Sequence, residues 1–140
     1  MSDFYQKGLE ALMNGDESYI GSDVQLLLLT SGYTFNADHK FVADLTPGSN
    51  ELTGTGYSRK VLGTKTVAVD DTNNRAVFDA ADVLFTEIDA GTAALAVLFF
   101  QVTNDADSVL IATITDGGWP IVTSGGDVSI VWDAAGILAL

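Results

Sequence analysis

The sequence predicts a mainly β domain, an antiparallel sandwich or barrel-like fold that carries one short helix at its N-terminus. Three observations predict it. Apolar, β-prone stretches recur at roughly ten-residue spacing, with Asp, Asn and Gly clusters between them. No strand–helix–strand alternation is visible, which argues against a parallel α/β sheet. At 140 residues and 47% hydrophobic content the chain can bury a real core, and it is too apolar for the disorder that high net charge alone would suggest. Residues 1–140 therefore read as a single domain, with the helix over 3–14 and a β-sandwich over 23–140.

Asp3 to Asn14 has the helical spacing. Tyr5, Leu9, Leu12 and Met13 form one apolar stripe. Asp3 stands where an N-cap belongs with Gln6 three residues on, and Gly15 stands at the C-cap position. About three turns are marginal in isolation, so the stripe should dock on another element. Lys40 to Asp44 predicts a second short turn. Val24 to Thr30 holds four consecutive leucines and reads as a strand covered on both faces. Thr66 to Val69 and Arg75 to Phe78 flank Asp70-Asp71-Thr72-Asn73-Asn74, a hairpin signal. Val83 to Glu87, Ala93 to Val102, Val109 to Thr115 and Val128 to Trp132 follow as strands, and Ile137 to Leu140 closes the last edge. Thr46 to Gly56 reads as an exposed loop.

The net charge is −13. An acidic balance of that size repels nucleic acid, whose phosphates need Lys or Arg, and disfavours an anionic membrane surface. Four of the six basic residues, Arg59, Lys60, Lys65 and Arg75, lie close together, and from Ala76 to Leu140 there is no Lys or Arg at all against nine carboxylates. Such one-sided charge is self-repelling unless it meets open water or a basic partner. Arg59, Lys60 and Lys65 are accordingly candidate partner contacts. The absence of cysteine excludes disulfides, thiolate metal sites and cysteine nucleophiles. The polar start lacks the pattern of a signal peptide, and the longest apolar run, Ala93 to Phe100, is short of the ~20 residues of a membrane helix. The expectation is a protein made and used without export.

The motifs that could carry chemistry are weak. The single histidine, His39, lies in a polar segment with no GxSxG serine to serve, and reads as a surface or loop-packing residue. Gly54-Thr55-Gly56-Tyr57-Ser58-Arg59-Lys60 lacks phosphate-loop spacing and feeds a strand. Asp70–Asp71, Asp79 with Asp82, and Asn104-Asp105-Ala106-Asp107 lack the layout of a calcium loop, and Asp at hairpin tips satisfies its own backbone. The expectation is no catalytic residue, no metal and no cofactor. Trp132 ends an alternating strand. Trp119, in the turn Asp116-Gly117-Gly118-Trp119-Pro120, is either a lid on the end of the core or a partner contact, since aromatics are enriched at interface hot spots.

The order of segments resembles a family of small virion structural proteins encoded by tailed phages and prophages. The likeness runs through Tyr5-x-Lys7-Gly8-x-Glu10 up to Gly15-Asp16, then Leu29-Thr30-x-x-Tyr33-Thr34 and His39-x-Phe41-x-x-Asp44-Leu45. It continues in Ala76-Val77-Phe78-Asp79-Ala80-x-Asp82-Val83-x-Phe85 and in Gly125-Gly126-Asp127-Val128-x-Ile130-x-Trp132-Asp133-x-x-Gly136-Ile137-Leu138. The sequence departs from the family pattern at Leu98 to Thr103, where a basic residue is common. The resemblance implies a capsid decoration (cement) protein on the outer surface of a phage head, made in the host cytoplasm. Its partners would be the major capsid protein and further copies of itself. A tail or head-to-tail accessory role is the alternative, and a receptor- or glycan-binding module a further one.

Overall fold

The computed structural model describes residues 3–115 and 118–140. The fold is mainly β, in several antiparallel sheets with one short N-terminal helix, and no barrel closes among the described residues. The central sheet has five strands in the order β1 (Asp3–Phe4), β9 (Val109–Ile114), β8 (Leu95–Phe100), β2 (Val24–Leu29) and β3 (Lys60–Val61). Two two-stranded sheets pair β10 (Ile121–Thr123) with β7 (Gly91–Ala93), and β11 (Val128–Ile130) with β6 (Val83–Phe85). A three-stranded sheet has the order β12 (Leu138–Ala139), β5 (Arg75–Asp79) and β4 (Thr66–Asp70).

The leucine run forms most of β2, and both its faces are covered, as the sequence predicts for so apolar a strand. Val24, Leu26 and Leu28 enter the main core, while Leu27 and Leu29 enter a smaller one with Tyr5, Tyr33, Val42 and Leu45. β8 divides in the same way, Ala96, Leu98 and Phe100 against Val97 and Phe99. A register shift between Leu98 and Phe99 leaves Ile111 of β9 without a cross-strand partner, so Ile111 and Ala112 both enter the main core. The main core is filled from the other side by Phe78 of β5, Phe85 of β6, Ile130 of β11 and Leu138 of β12.

The helix α1 runs Gln6–Asn14, not from Asp3. Asp3 and Phe4 pair with Thr113 and Ala112 in an extended strand, and the N-cap residue is Tyr5, which makes no side-chain cap. A sheet edge beside Asp3 offered backbone partners that outweigh one cap. Gly15 does take the left-handed C-cap conformation, φ 77°. The docked face also differs from the predicted stripe. Met13 is exposed, and Gly8 and Ala11 are the buried helix residues. A Cβ on Gly8 would stand 2.3 Å from the Leu110 carbonyl oxygen, so the glycine is what lets α1 lie directly on β9.

The predicted turn near Lys40 is a 3₁₀ turn at Val42–Leu45, and a further short helix, α2, spans Pro47–Asn50. Thr46 to Gly56 is thus no simple exposed loop: Glu51 bridges to Leu29 and Leu52 is buried in the main core. The hairpin β4–β5 forms with Asp70 opposite Arg75. The stretch from Ala93 to Val102 is two strands, because the chain changes sheets at Ala94, whose N–H donates to the Leu29 carbonyl. β12 closes onto β5, and β11 stops at Ile130 short of Trp132. Among the described residues no helix is long and apolar enough to cross a membrane.

Candidate docking surface

The structure lays each of the three predicted cationic contacts against an aromatic ring of the fold itself. Arg59, half-buried before β3, donates from Nε and Nη2 to Glu51 at 3.0 and 2.8 Å, and from Nη1 and Nη2 to Asp105 at 2.6 and 3.1 Å. Its guanidinium lies 5.5 Å from the centre of the Phe99 ring. Hydrogen bonds donated to Glu51 and then to Asp105 push its pKa further up, so the cation is permanent. Tyr57 completes the cluster: its hydroxyl donates to Glu51 and accepts the Leu28 N–H at 3.1 Å. Lys60 Nζ sits 5.3 Å from the centre of Phe85. Lys65 Nζ donates to the Ser22 carbonyl and lies 5.9 Å from the Tyr19 ring centre.

The carboxylates do similar work on the loops. Asp44 accepts the N–H groups of Lys40 and Phe41, and Asp107 those of Thr103 and Asn104. Asp89 holds Thr55, Asp127 holds Glu87 and Asp82 holds Trp132, each through a backbone N–H. Asp44 and Asp107 are held below the usual carboxylate range, chiefly by the N–H groups of Phe41 and Asn104 respectively. His39 is half-buried rather than on the open surface. Its Nδ1 lies 3.0 Å from the Tyr33 hydroxyl, itself 2.9 Å from that of Tyr5, a polar chain that pins the N-terminus to the loop between Tyr33 and His39. Among the described residues no three His, Asp or Glu side chains are grouped to hold a metal ion.

The two tryptophans line one groove. Trp119 is half-buried and packs on the main core, so it acts as a lid, yet it also lines an open groove of about 660 Å³. Trp132 lines the same groove, its backbone N–H held by Asp82 at 3.1 Å and its indole N–H by the Ala81 carbonyl at 3.0 Å. Phe4, Ile121, Ile130 and Ile137 contribute further apolar wall. Asp116 and Gly117 of the turn before Trp119 lie outside the described residues. Val131, also on the groove, is 69% exposed.

The strand β4 is a second open apolar feature, and it is absent from the sequence-predicted sites. Val69 is 77% and Val67 46% exposed, on a strand whose first four residues are all exposed. The signal was available: Thr66-Val67-Ala68-Val69 carries no charge and no alternation of strongly polar residues, which a sheet edge facing water normally has. What the site offers chemically is contact: an aromatic groove and an apolar sheet edge on a strongly acidic body. No protein family, curated protein or solved structure matches this chain.

Proposed function

We propose that this chain is a structural virion protein of a tailed phage, a capsid decoration protein that seats on the outer surface of the head and stabilises it by contact alone. The pattern-level likeness to small phage virion proteins supports the assembly. The observation that carries the docking role is the groove between Trp119 and Trp132. Apart from Phe4 and Arg75, its lining comes from Ile114 to Ala139, inside the half of the chain with no Lys or Arg. Its occupant is therefore an apolar loop or strand of the major capsid protein with a basic rim. A groove that buries two indoles supplies the aromatic anchors that dominate interface energies. Repetition over symmetry-related sites makes modest contacts a strong clamp. The polar side chains hold the subunit's own loops, as a part that works without cofactor requires.

The test is thermal. Heads stripped of the chain should rupture at lower temperature than decorated heads, and adding back the purified chain should restore the difference. Trp119→Ala should fail to restore it while keeping its fold. Equal rupture temperatures with and without the chain would overturn the reading. The paired indoles also favour a second reading, a glycan-binding module, since aromatic faces stack on sugars. Binding of the isolated chain to host cells but not to stripped heads would select it.

A further inference from the structure

We propose that β4 is a self-docking edge: two copies of the chain pair their β4 strands antiparallel about Ala68, joining two three-stranded sheets into one of six. The argument begins with which backbone groups are free. Ala76 and Leu140 exchange both N–H···O bonds, at 2.8 and 2.9 Å, so Ala76 directs its backbone groups towards β12 and away from β4. In an antiparallel ladder these directions alternate. Arg75, Val77 and Asp79 therefore bond to their register partners Asp70, Ala68 and Thr66. Val67 and Val69 of β4 then direct their N–H and C=O groups outward, where the described residues supply no further strand.

The strand has none of the features that blunt a free edge. Thr66 to Val69 contains no proline, no lysine and no charge, and all four are exposed. Pairing about Ala68 sets Val67 opposite Val69 of the second copy, so the outward backbone groups meet each other and all four valines gain cover. The same register sets Lys65 opposite Asp71 of the second copy, cation against anion; Lys65 Nζ donates to the Ser22 carbonyl of its own fold and has further N–H donors for that carboxylate. Sliding the second strand by two residues either way breaks this: it puts Lys65 opposite Val69, or Asp71 opposite Val67. Charge therefore selects the register, and the occupant is a second copy of this chain. A five-residue edge is a small contact, so the pair is weak in dilute solution and is reinforced where copies are held side by side. The inference names a surface for the self-association the proposed function calls for, but it rests on strand geometry and is read on the free chain.

The chain has no cysteine, so one introduced thiol reports alone. Ala68 would face its own copy across the two-fold axis as a non-hydrogen-bonded pair, about 4.5 Å between Cα atoms, within disulfide reach. Ala68→Cys should form a disulfide-linked dimer under mild oxidation at least ten times faster than Thr72→Cys at the exposed hairpin tip. Adding Asp71→Lys should slow that cross-link, and exchanging the charges with Lys65→Asp and Asp71→Lys together should bring it back. Two results would overturn the proposal: equal cross-linking at positions 68 and 72, or indifference of the position-68 cross-link to Asp71→Lys. Neither depends on the chain's place in a particle, so failure here and failure of the virion reading are separable.

Discussion

Arg59 and Asp105, 46 residues apart, are joined by two hydrogen bonds of 2.6 and 3.1 Å, and the same guanidinium is clamped from its other side by Glu51. The arrangement ties the segment before β3 to the loop between β8 and β9. Removing one member leaves the others partly desolvated without their partner. Arg59→Met should therefore destabilise the chain by about 2 kcal/mol, read as a shift in the urea midpoint. Arg59→Lys should recover only part of the loss, because a point charge cannot hold two carboxylates through a planar fork.

Gly8 is the closest point between α1 and β9. Gly8→Ala would gain helix propensity in an isolated peptide, yet here its Cβ would stand 2.8 Å from the Ile111 Cα as well as against the Leu110 carbonyl. Overpacking should win, with a net loss of about 2 kcal/mol in thermal or urea unfolding. A neutral or stabilised Gly8→Ala would mean that the helix can lift off the sheet freely.

Elements whose partners lie close in sequence are legible from it, and those whose partners are distant are not. The β4–β5 hairpin was legible because its turn formers and both strands lie within 14 consecutive residues. The doubly buried β2 is legible because its residues are apolar apart from Gln25. Asp3 was read as a cap because the strand it joins, β9, is more than a hundred residues away. The change of sheet at Ala94 leaves no mark in an unbroken apolar run, since it is set by the Leu29 carbonyl. Arg59 reads from the sequence as a candidate partner contact because its partners in the fold, Glu51 and Asp105, come from other segments. Trp119 is legible in the sequence as a choice between lid and contact; it packs on the main core and lines an open groove.

All four tyrosines sit in environments that oppose ionisation. Burial raises the pKa of Tyr5, Tyr19, Tyr33 and Tyr57, and hydrogen bonds to Tyr33 and to Glu51 add to the effect at Tyr5 and Tyr57. A group whose pKa is raised by folding contributes stability below its unfolded value, near 10, and that contribution is lost as pH rises further. Tyrosinate absorbance should thus appear in the same alkaline transition as unfolding. A reversible titration near pH 10 with the far-ultraviolet dichroism intact would contradict the burial.

The loop-holding carboxylates set the acid limit. Asp44 is lowered chiefly by the Phe41 and Lys40 N–H groups, Asp70 by the Asn73 side chain and Arg75, and Asp107 by the Asn104 N–H. Carboxylates lowered by folding stabilise above their unfolded value, about 3.9, and lose that contribution as pH falls through the folded value. The melting temperature should drop as pH falls below about 4. Asp44→Asn should be less stable at neutral pH and should show a shallower acid slope. An unchanged slope would mean that Asp44 does not hold its turn in solution.

Counting copies in intact particles tests the virion role most directly. If the proposed role holds, heads of the encoding phage would be quantified against the major capsid protein and imaged by cryo-microscopy. A capsid decoration protein predicts on the order of hundreds of copies, arranged on the outer shell with the Trp119–Trp132 groove against capsid protein. A count of about six or twelve at the tail axis, or no copies at all, would contradict it.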